Sequence, residues 1–357
     1  MLTRRQKEIK DYVVNFLSEK EYPPTLEDIG RHFKIAVSTT HEHLQSLKRA
    51  GYIPNTTERK NTNKPTLPLN QIILGDALYE LKKLPKESCD VIIADPPYNI
   101  GKDFGNNQDD RELSEYISWS KQWMNECRRV LKNTGTLFIY GFSEILAYLS
   151  VELPLPKRWL IWHYTNKNVA SLNFWQRSHE ALICAWKERP IFNRDNVREP
   201  YTEGFLNGAA GKVRRGTIGR FSRGGKTTIY KAHKNGALPR DVIKIAALAG
   251  GAGMTERWFL CATCDKVYEP RELKKHLGHD VIKHPTQKPL ELSCKLIQSS
   301  MPKKNGIVLV PFCGSGSECV AAKQLGASFI SYELNPDYIK LANGILERTR
   351  PADPTLF

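Results

Sequence analysis

Four consecutive residues, Asp95-Pro96-Pro97-Tyr98, carry the most specific chemistry in this 357-residue chain. An exocyclic amine on a nucleobase has two protons to place. A carboxylate at Asp95 accepts one and the Pro96 carbonyl accepts the other, which helps the nitrogen lone pair point at an electrophile. The paired prolines stiffen the backbone so that both acceptors stay fixed. Tyr98 offers an aromatic face on which a base extruded from a duplex can stack. Asp and Pro are also ordinary turn residues. The position directly after the apolar run Val91–Ala94 favours the site over the turn, because ligands of open α/β sheets bind at the carboxyl ends of strands.

A second constellation is Phe312-Cys313-Gly314-Ser315-Gly316, between the strand-like run Ile307–Val310 and a helical pattern from Glu318 to Gln324. Glycines at a strand–helix turn let a cofactor approach the backbone. The next strand ends at Glu333, where an acidic side chain can hold two ribose hydroxyls of an adenosyl cofactor. No third glycine stands at the dinucleotide spacing, which argues against NAD or FAD. A third set is Cys261-x2-Cys264 followed by His276 and His279. Its spacing is close to that of a tetrahedral zinc site, with the histidine pair one residue tighter than usual. Unliganded cysteines and histidines of ordinary surface or core are the competing reading. A zinc ion here would staple structure and take no part in catalysis.

The elements that must hold these residues follow from periodicity. Short apolar runs at 71–74, 90–94, 136–140, 158–165, 307–310 and 328–332 alternate with helical patterns, including one at 77–84, and predict a parallel α/β sheet. Residues 136–140 and 158–165 are each expected to begin a strand–helix unit. Residues 187–283 break the pattern. They hold basic, glycine-rich runs at 211–216 and 220–226, with Phe221 and Tyr230 interleaved, and predict a DNA-contacting insertion. Arg214, Arg215, Arg220 and Arg223 are its candidate contacts.

The first 53 residues predict three helices. Ile9, Val13, Phe16 and Leu17 mark the first, which Tyr22-Pro23-Pro24 ends. Thr25 caps a short helix that buries Leu26, Ile29 and Phe33, with Asp28 completing an imperfect capping box. A third starts near Val37, buries His43 or Leu44 together with Leu47, and ends at Gly51. Such spacing is that of a helix-turn-helix. Ser38, Thr39, Thr40 and Lys48 are expected on its outward face, facing base edges and phosphates. With its Thr3-Arg4-Arg5-Gln6 start, Pro23-Pro24-Thr25 and Gly51-Tyr52-Ile53, the stretch resembles the winged helix-turn-helix of LexA-type repressors. A wing would fall near 52–67, and the composition of 54–68 suits wing plus linker.

Composition agrees with a polyanionic partner. Lys and Arg number 53 against 38 Asp and Glu, for a net charge of +15 and a pI near 9.4. Cationic surfaces gain by releasing counterions from phosphates. No stretch is apolar enough to cross a membrane, the start lacks an apolar signal region, and eight cysteines spread over such a length read as mostly reduced thiols. A cytoplasmic protein is expected.

Taken together, the tetrapeptide and the cofactor loop resemble the amino-methyltransferases of DNA, which use S-adenosylmethionine. The tetrapeptide precedes the cofactor loop, as in their circularly permuted β class, and the resemblance spans roughly 70–350. It implies an α/β fold with a Rossmann-like, circularly permuted methyltransferase sheet, an N-terminal winged helix domain and an inserted target-recognition region. The corresponding division is 1–67, 68–186, 187–283 and 284–357. Leu74-Gly75-Asp76 is similar to the family's acidic strand end, placing Asp76 near the cofactor adenine. His284-Pro285-Thr286-Gln287-Lys288-Pro289 resembles the segment beside the methionine end, which implicates Thr286 and Lys288 alongside Phe312, Gly314, Gly316 and Glu333. Phe174 to Trp186, with His179-Glu180, looks like the strand lining the base pocket, and 130–136 like the helix-to-strand turn after the catalytic loop. Val310 stands where the family commonly has Asp, which removes one polar group near the cofactor.

The resemblance implies methyl transfer from S-adenosylmethionine to adenine N6 in double-stranded DNA, with the base flipped out. Cytosine N4 is the alternative atom, and a DNA-binding regulator with an inactive methyltransferase-like domain is the alternative class. A homodimer and a companion restriction endonuclease also follow from the resemblance. No Pro-Cys context surrounds Cys127 or Cys313, which disfavours attack on carbon-5 of cytosine.

Overall fold

The computed structural model describes residues 2–20, 24–50, 52–53, 67–102, 109–166, 171–219, 222–249 and 253–350. They form two compact units, Met1–Thr66 and Leu67–Phe357. The wing and linker expected at 52–67 lie almost wholly outside the described residues, as does Arg220.

In the first unit, helices α1 (Arg4–Lys20), α2 (Leu26–Phe33) and α3 (Val37–Arg49) close on Ile9, Val13, Ile29, Leu44, Leu47 and Ile53. The capping box is complete. Thr25 Oγ1 accepts from the Asp28 amide at 3.0 Å, and Asp28 Oδ2 accepts from the Thr25 amide at 3.0 Å. Two of the helix's orphan donors are thereby satisfied. Lys34, at φ 54°, ends α2 in the left-handed region. On α3, Ser38 is exposed, and Thr39 and Lys48 are half-buried. Thr40 departs from the expectation of an outward face. It is 0% exposed, its hydroxyl donates to the Ala36 carbonyl at 3.1 Å, and it lies beside Gly30 where α2 packs on α3. It shares the buried inner stripe of the helix with Leu44 and Leu47, so it is a packing residue.

The second unit is a three-layer α/β structure. Its sheet has eight strands: β1 (Gln71–Leu74), β2 (Cys89–Ala94), β3 (Leu131–Gly141), β4 (Lys157–Tyr164), β5 (His179–Trp186), β6 (Val242–Ile245), β7 (Ile307–Val310) and β8 (Ser328–Glu333), in the order β1-β8-β7-β2-β3-β5-β4-β6. All neighbours are parallel except those of β5, which runs antiparallel to both β3 and β4. Here the expectation of a wholly parallel sheet needs correction. No helix follows β4. The chain returns as β5 instead, and periodicity cannot distinguish a buried strand that crosses over from one that turns back.

Every residue of β2 is buried. Its side chains alternate faces: Val91 and Ile93 join the core beneath α7 (Leu290–Ser300), α8 (Ser317–Gln324) and α9 (Pro336–Arg348), while Ile92 and Ala94 join the core beneath α4 (Ala77–Lys83), α5 (Leu113–Val130) and α6 (Ser143–Glu152). A large aliphatic side chain so enclosed contributes about 1.5–3 kcal/mol, and the central position of β2 rests on that. At its amino end, Asp90 accepts from Lys132 Nζ at 2.8 and 2.9 Å and from the Ile307 amide at 2.9 Å. The anchor ties β2, β3 and β7 together and leaves the carboxyl ends of the strands for chemistry. Within the insertion, β6 joins the main sheet through Ile243 and Ile245, both buried. Arg214, Arg215 and Arg223 are exposed on short antiparallel ribbons, Val213–Arg215 with Thr227–Ile229 and Ile218–Gly219 with Ser222–Arg223.

Candidate active site

The tetrapeptide begins where β2 stops. Tyr116 of α5 donates its hydroxyl to the Pro97 carbonyl at 2.7 Å. Beyond Tyr98 the chain folds round one carboxylate: Asp109 accepts from the amides of Asn99 (2.5 Å), Lys102 (2.8 Å) and Ile100 (3.3 Å). Asn99 and Gly101 adopt φ of 59° and 71° to allow it. The loop that carries the tetrapeptide is thus held from both ends. Asp109 was not legible in the sequence, because it sits in a polar stretch with no periodicity.

At the centre lies a buried ion cluster. Lys288 Nζ sits 2.9 Å from Asp95 Oδ2 and 3.4 Å from Glu180 Oε2, and its side chain is 4% exposed. The Tyr98 hydroxyl lies 2.8 Å from Asp95 Oδ1 and 3.0 Å from Glu180 Oε2. Tyr164 donates to Glu180 Oε1 at 2.7 Å. Lys288 also lies over the rings of Tyr98 and Tyr140, at 5.3 and 5.0 Å from their centroids. Burial pushes the Lys288 ammonium down, but Asp95 and Glu180 together hold it above its ordinary value, so it stays charged. Burial raises Asp95 above the usual carboxylate range, against the pull of Lys288. Tyr98 is raised well above the ordinary phenol value by burial and by the two carboxylates, so it remains a neutral donor. Glu318, 4% exposed and accepting from the Ser293 hydroxyl at 3.0 Å, is pushed up to about 7 by burial and then by Asp95. Three carboxylates around one ammonium would leave excess negative charge in a dry site. The proton that Glu318 retains near neutrality relieves part of it.

Two clefts meet at this cluster. The first, about 960 Å³ including its open mouth, is lined by Asp76, Asp95, Phe312, Gly314, Thr286 and Glu333, with Pro96, Pro97, Tyr98, Lys288 and Glu318 at its inner end. The second is lined by Tyr98, Phe142, Trp162, Tyr164, Glu180 and Lys288. Phe142 meets Tyr98 edge to face at 5.2 Å. Asp76 also caps α4, accepting from the Tyr79 amide at 3.1 Å. Glu333 is oriented by three amides, those of Gly314 at 2.7 Å and of Leu334 and Asn335 at 3.0 Å each. Phe312 packs edge-on against Trp123 at 5.4 Å.

The two glycines differ in role. Gly314 (φ 52°) lines the first cleft, and a Cβ there would sit 2.7 Å from His284 Nε2. Gly316 (φ 80°) does not line it; a Cβ there would strike the Ala342 Cβ of α9 at 2.7 Å. Gly316 therefore admits a helix where the sequence pattern anticipated a cofactor. Lys288, expected beside the methionine end of a cofactor, lines the first cleft and also sits between Asp95 and Glu180. That pairing could not be read from the sequence, because Lys288 is separated from each partner by more than a hundred residues, and the place of Glu318 leaves no local pattern either. Of the Phe174–Trp186 segment, only His179–Trp186 is strand; Phe174 and Trp175 are 79% and 86% exposed. Val310 is a buried core residue whose carbonyl accepts from Ser331 at 2.9 Å.

The family model described as DNA methylase matches residues 89–344, and that described as LexA DNA binding domain matches residues 1–62. Over 274 residues the chain is 31% identical to the DNA adenine methyltransferase YhdJ of Escherichia coli, covering 76% of this chain and 80% of that protein. It is 28% identical over 286 residues to the type II methyltransferase M.HpaI of Haemophilus parainfluenzae, covering 78% and 74% respectively. Among solved structures, PvuII DNA methyltransferase (cytosine-N4-specific) superposes with a TM-score of 0.52 at 15% identity, over 77% of this chain and 85% of that one, a likeness of fold.

Proposed function

The chain belongs to the DNA methylase family and carries a LexA-type DNA-binding domain at its start, and from that premise we propose that it methylates adenine N6 in double-stranded DNA. The observation that carries the reading is the junction of two clefts at Asp95 and Tyr98. One cleft has the size and donor set for an adenosyl cofactor, and the other is walled by aromatic rings. The chain's first residue of the tetrapeptide is Asp, which in the family tends to accompany adenine, and YhdJ is named an adenine enzyme.

The first cleft fits S-adenosylmethionine on its own chemistry. Glu333, its carboxylate fixed by three amides, would take the ribose hydroxyls; Asp76 would lie towards the adenine, Phe312 and the Gly314 backbone along the nucleoside, and Thr286 towards the methionine end. When bound, this cofactor supplies an electrophilic methyl group. The chain's residues do the rest. A flipped adenine enters the second cleft and stacks on Tyr98. Asp95 and the Pro96 carbonyl accept hydrogen bonds from the two N–H groups of the amine and hold the nitrogen in line. Lys288 opposes the protonation that burial favours at Asp95 and keeps its carboxyl aimed, and the aromatic wall keeps water out. Positioning and electrostatic complementarity supply most of the rate gain.

The exposed arginines of the ribbons suit the DNA backbone and groove, since the major groove admits a two-stranded ribbon. Ser38, Thr39 and Lys48 supply a second contact surface. No helix among the described residues is long and apolar enough to cross a membrane, and the reading puts the enzyme in the cytoplasm with its DNA. The family resemblance is compatible with a homodimer and with a companion restriction endonuclease; sedimentation of the pure protein checks the former.

The decisive experiment uses labelled cofactor and unmethylated genomic DNA. Asp95→Ala is expected to lower transfer by at least roughly a thousandfold while cofactor binding survives. Label transfer at the wild-type rate overturns the catalytic assignment. Single-molecule sequencing of DNA from expressing cells should show modified adenine; modified cytosine would shift the target to N4.

A further inference from the structure

Outside the methyl-transfer site, the described residues include one cluster of four potential metal-ligand atoms. Cys261 ends the strand Phe259–Cys261, and Cys264 sits in the turn that leads to the antiparallel strand Lys266–Tyr268. His276 closes a 3-10 helix, and His279 precedes the strand Val281–Ile282, which pairs with the other edge of Phe259–Cys261. The four ligand atoms lie within 4.8 Å of one another. Cys261 Sγ and Cys264 Sγ are each 3.3 Å from His279 Nδ1, Cys264 Sγ is 3.7 Å from His276 Nδ1, and the two Nδ1 atoms are 3.4 Å apart. A tetrahedral ion with bonds of about 2.3 Å to sulfur and about 2.0–2.1 Å to nitrogen requires S···N edges near 3.6 Å and an N···N edge near 3.4 Å. The four observed edges lie within about 0.3 Å of those values. Hydrogen bonding alone has no need to bring four such atoms to one point.

We propose that Cys261, Cys264, His276 and His279 hold a structural Zn²⁺ ion, and that this ion fixes the segment 284–289 that carries Lys288. On binding, the two thiols release their protons to solvent as the Zn–S bonds form, and both imidazoles bind neutral through Nδ1. The two thiolates neutralise the ion's charge, so a buried Cys261 and a buried His276 tolerate it. All four positions are filled by protein, which excludes a catalytic role.

The mechanical link is short. The chain passes from His279 through Val281–Ile282 straight into His284, Thr286 and Lys288. Arg257, just ahead of the first strand, donates to the carbonyls of His284 and Pro285 at 3.3 and 3.4 Å. On its other side the module packs through Leu260 and Val267 against Leu341 of α9. Gly344 is required there, since a Cβ would lie 2.5 Å from Val267. The ion therefore clamps the hairpin from which the Lys288 segment departs and into which it is hydrogen-bonded.

The test uses the full-length protein, purified without chelators, and does not depend on methyl transfer. Elemental analysis should find about one zinc per chain. Cys264→Ser and His279→Ala, at the two less buried ligands, should each reduce it to a small fraction while circular dichroism shows the sheet intact. Cobalt exchanged for zinc should give the absorption of a tetrahedral, thiolate-ligated ion. A wild-type chain with no zinc and no cobalt spectrum, or with a Cys261–Cys264 disulfide, overturns the metal site. Stripping the metal should raise hydrogen exchange across 281–289 and leave β2 unchanged. Unchanged exchange across 281–289 in stripped protein overturns the positioning half.

Discussion

Lys288 shows what a single side chain decides at this site. It is enclosed among Asp95, Glu180, Tyr98 and Tyr140, so removing its charge strands two buried carboxylates. Lys288→Met should destabilise the second unit by about 3–5 kcal/mol at pH 7, measured by urea unfolding. The loss should shrink as pH falls and Asp95, raised by burial, takes up a proton. Glu318 gives the opposite pH signature. Its carboxyl rises on folding from an ordinary value near 4.5 to about 7. Below about 4.5 both states are protonated and its contribution is fully present. As pH climbs towards 7 the unfolded chain ionises while the folded one keeps its proton, so stability drains away over that window. Glu318→Gln, which keeps the acceptor for Ser293, should abolish this slope and stabilise the protein above pH 7 by on the order of 3 kcal/mol. Melting temperatures between pH 4.5 and 8 check it; parallel curves for variant and wild type would reject the assignment.

The ribbons and the helix-turn-helix are the elements that meet DNA in the proposed reading, and each makes a separate prediction. Arg214, Arg215 and Arg223 are themselves exposed on their ribbons, so their replacement by alanine should leave stability within about 0.5 kcal/mol. Each phosphate contact removed should flatten the dependence of log affinity on log salt by about 0.9. The triple variant is therefore expected to bind more weakly at low salt and to lose less on adding salt. A fluorescence titration at several salt concentrations reads both. An unchanged slope would remove the ribbons from the backbone contact. Thr40, by contrast, carries no such prediction, since its side chain faces the first unit's own core. Helical periodicity could not separate it from Ser38 and Thr39, because a small polar residue fits either face and only the close packing of α2 at Gly30 assigns it.

At the scale of the molecule, the first unit ends at Thr66 and has its own core. Deleting residues 1–66 is expected to lower DNA affinity several-fold and flatten its salt dependence, while methyl transfer at saturating DNA persists. Loss of transfer at saturation would mean that the first unit takes part in catalysis.

Six of the eight strands of the sheet, their order along the chain, the tetrapeptide at the end of β2, the acidic end of β8 and the helix-turn-helix were legible in the sequence alone. These features are local: alternating burial, a proline pair, a glycine turn and a capping box each leave their mark within a few residues. Tertiary structure alone decided the direction of β5, the entry of Val242–Ile245 into the sheet, the two roles of Gly314 and Gly316, and the meeting of Asp95, Glu180 and Lys288. Those partners lie far apart in the chain. What joins them is the energetic demand that a buried charge find its opposite, and that demand is met in space without leaving any spacing in the sequence.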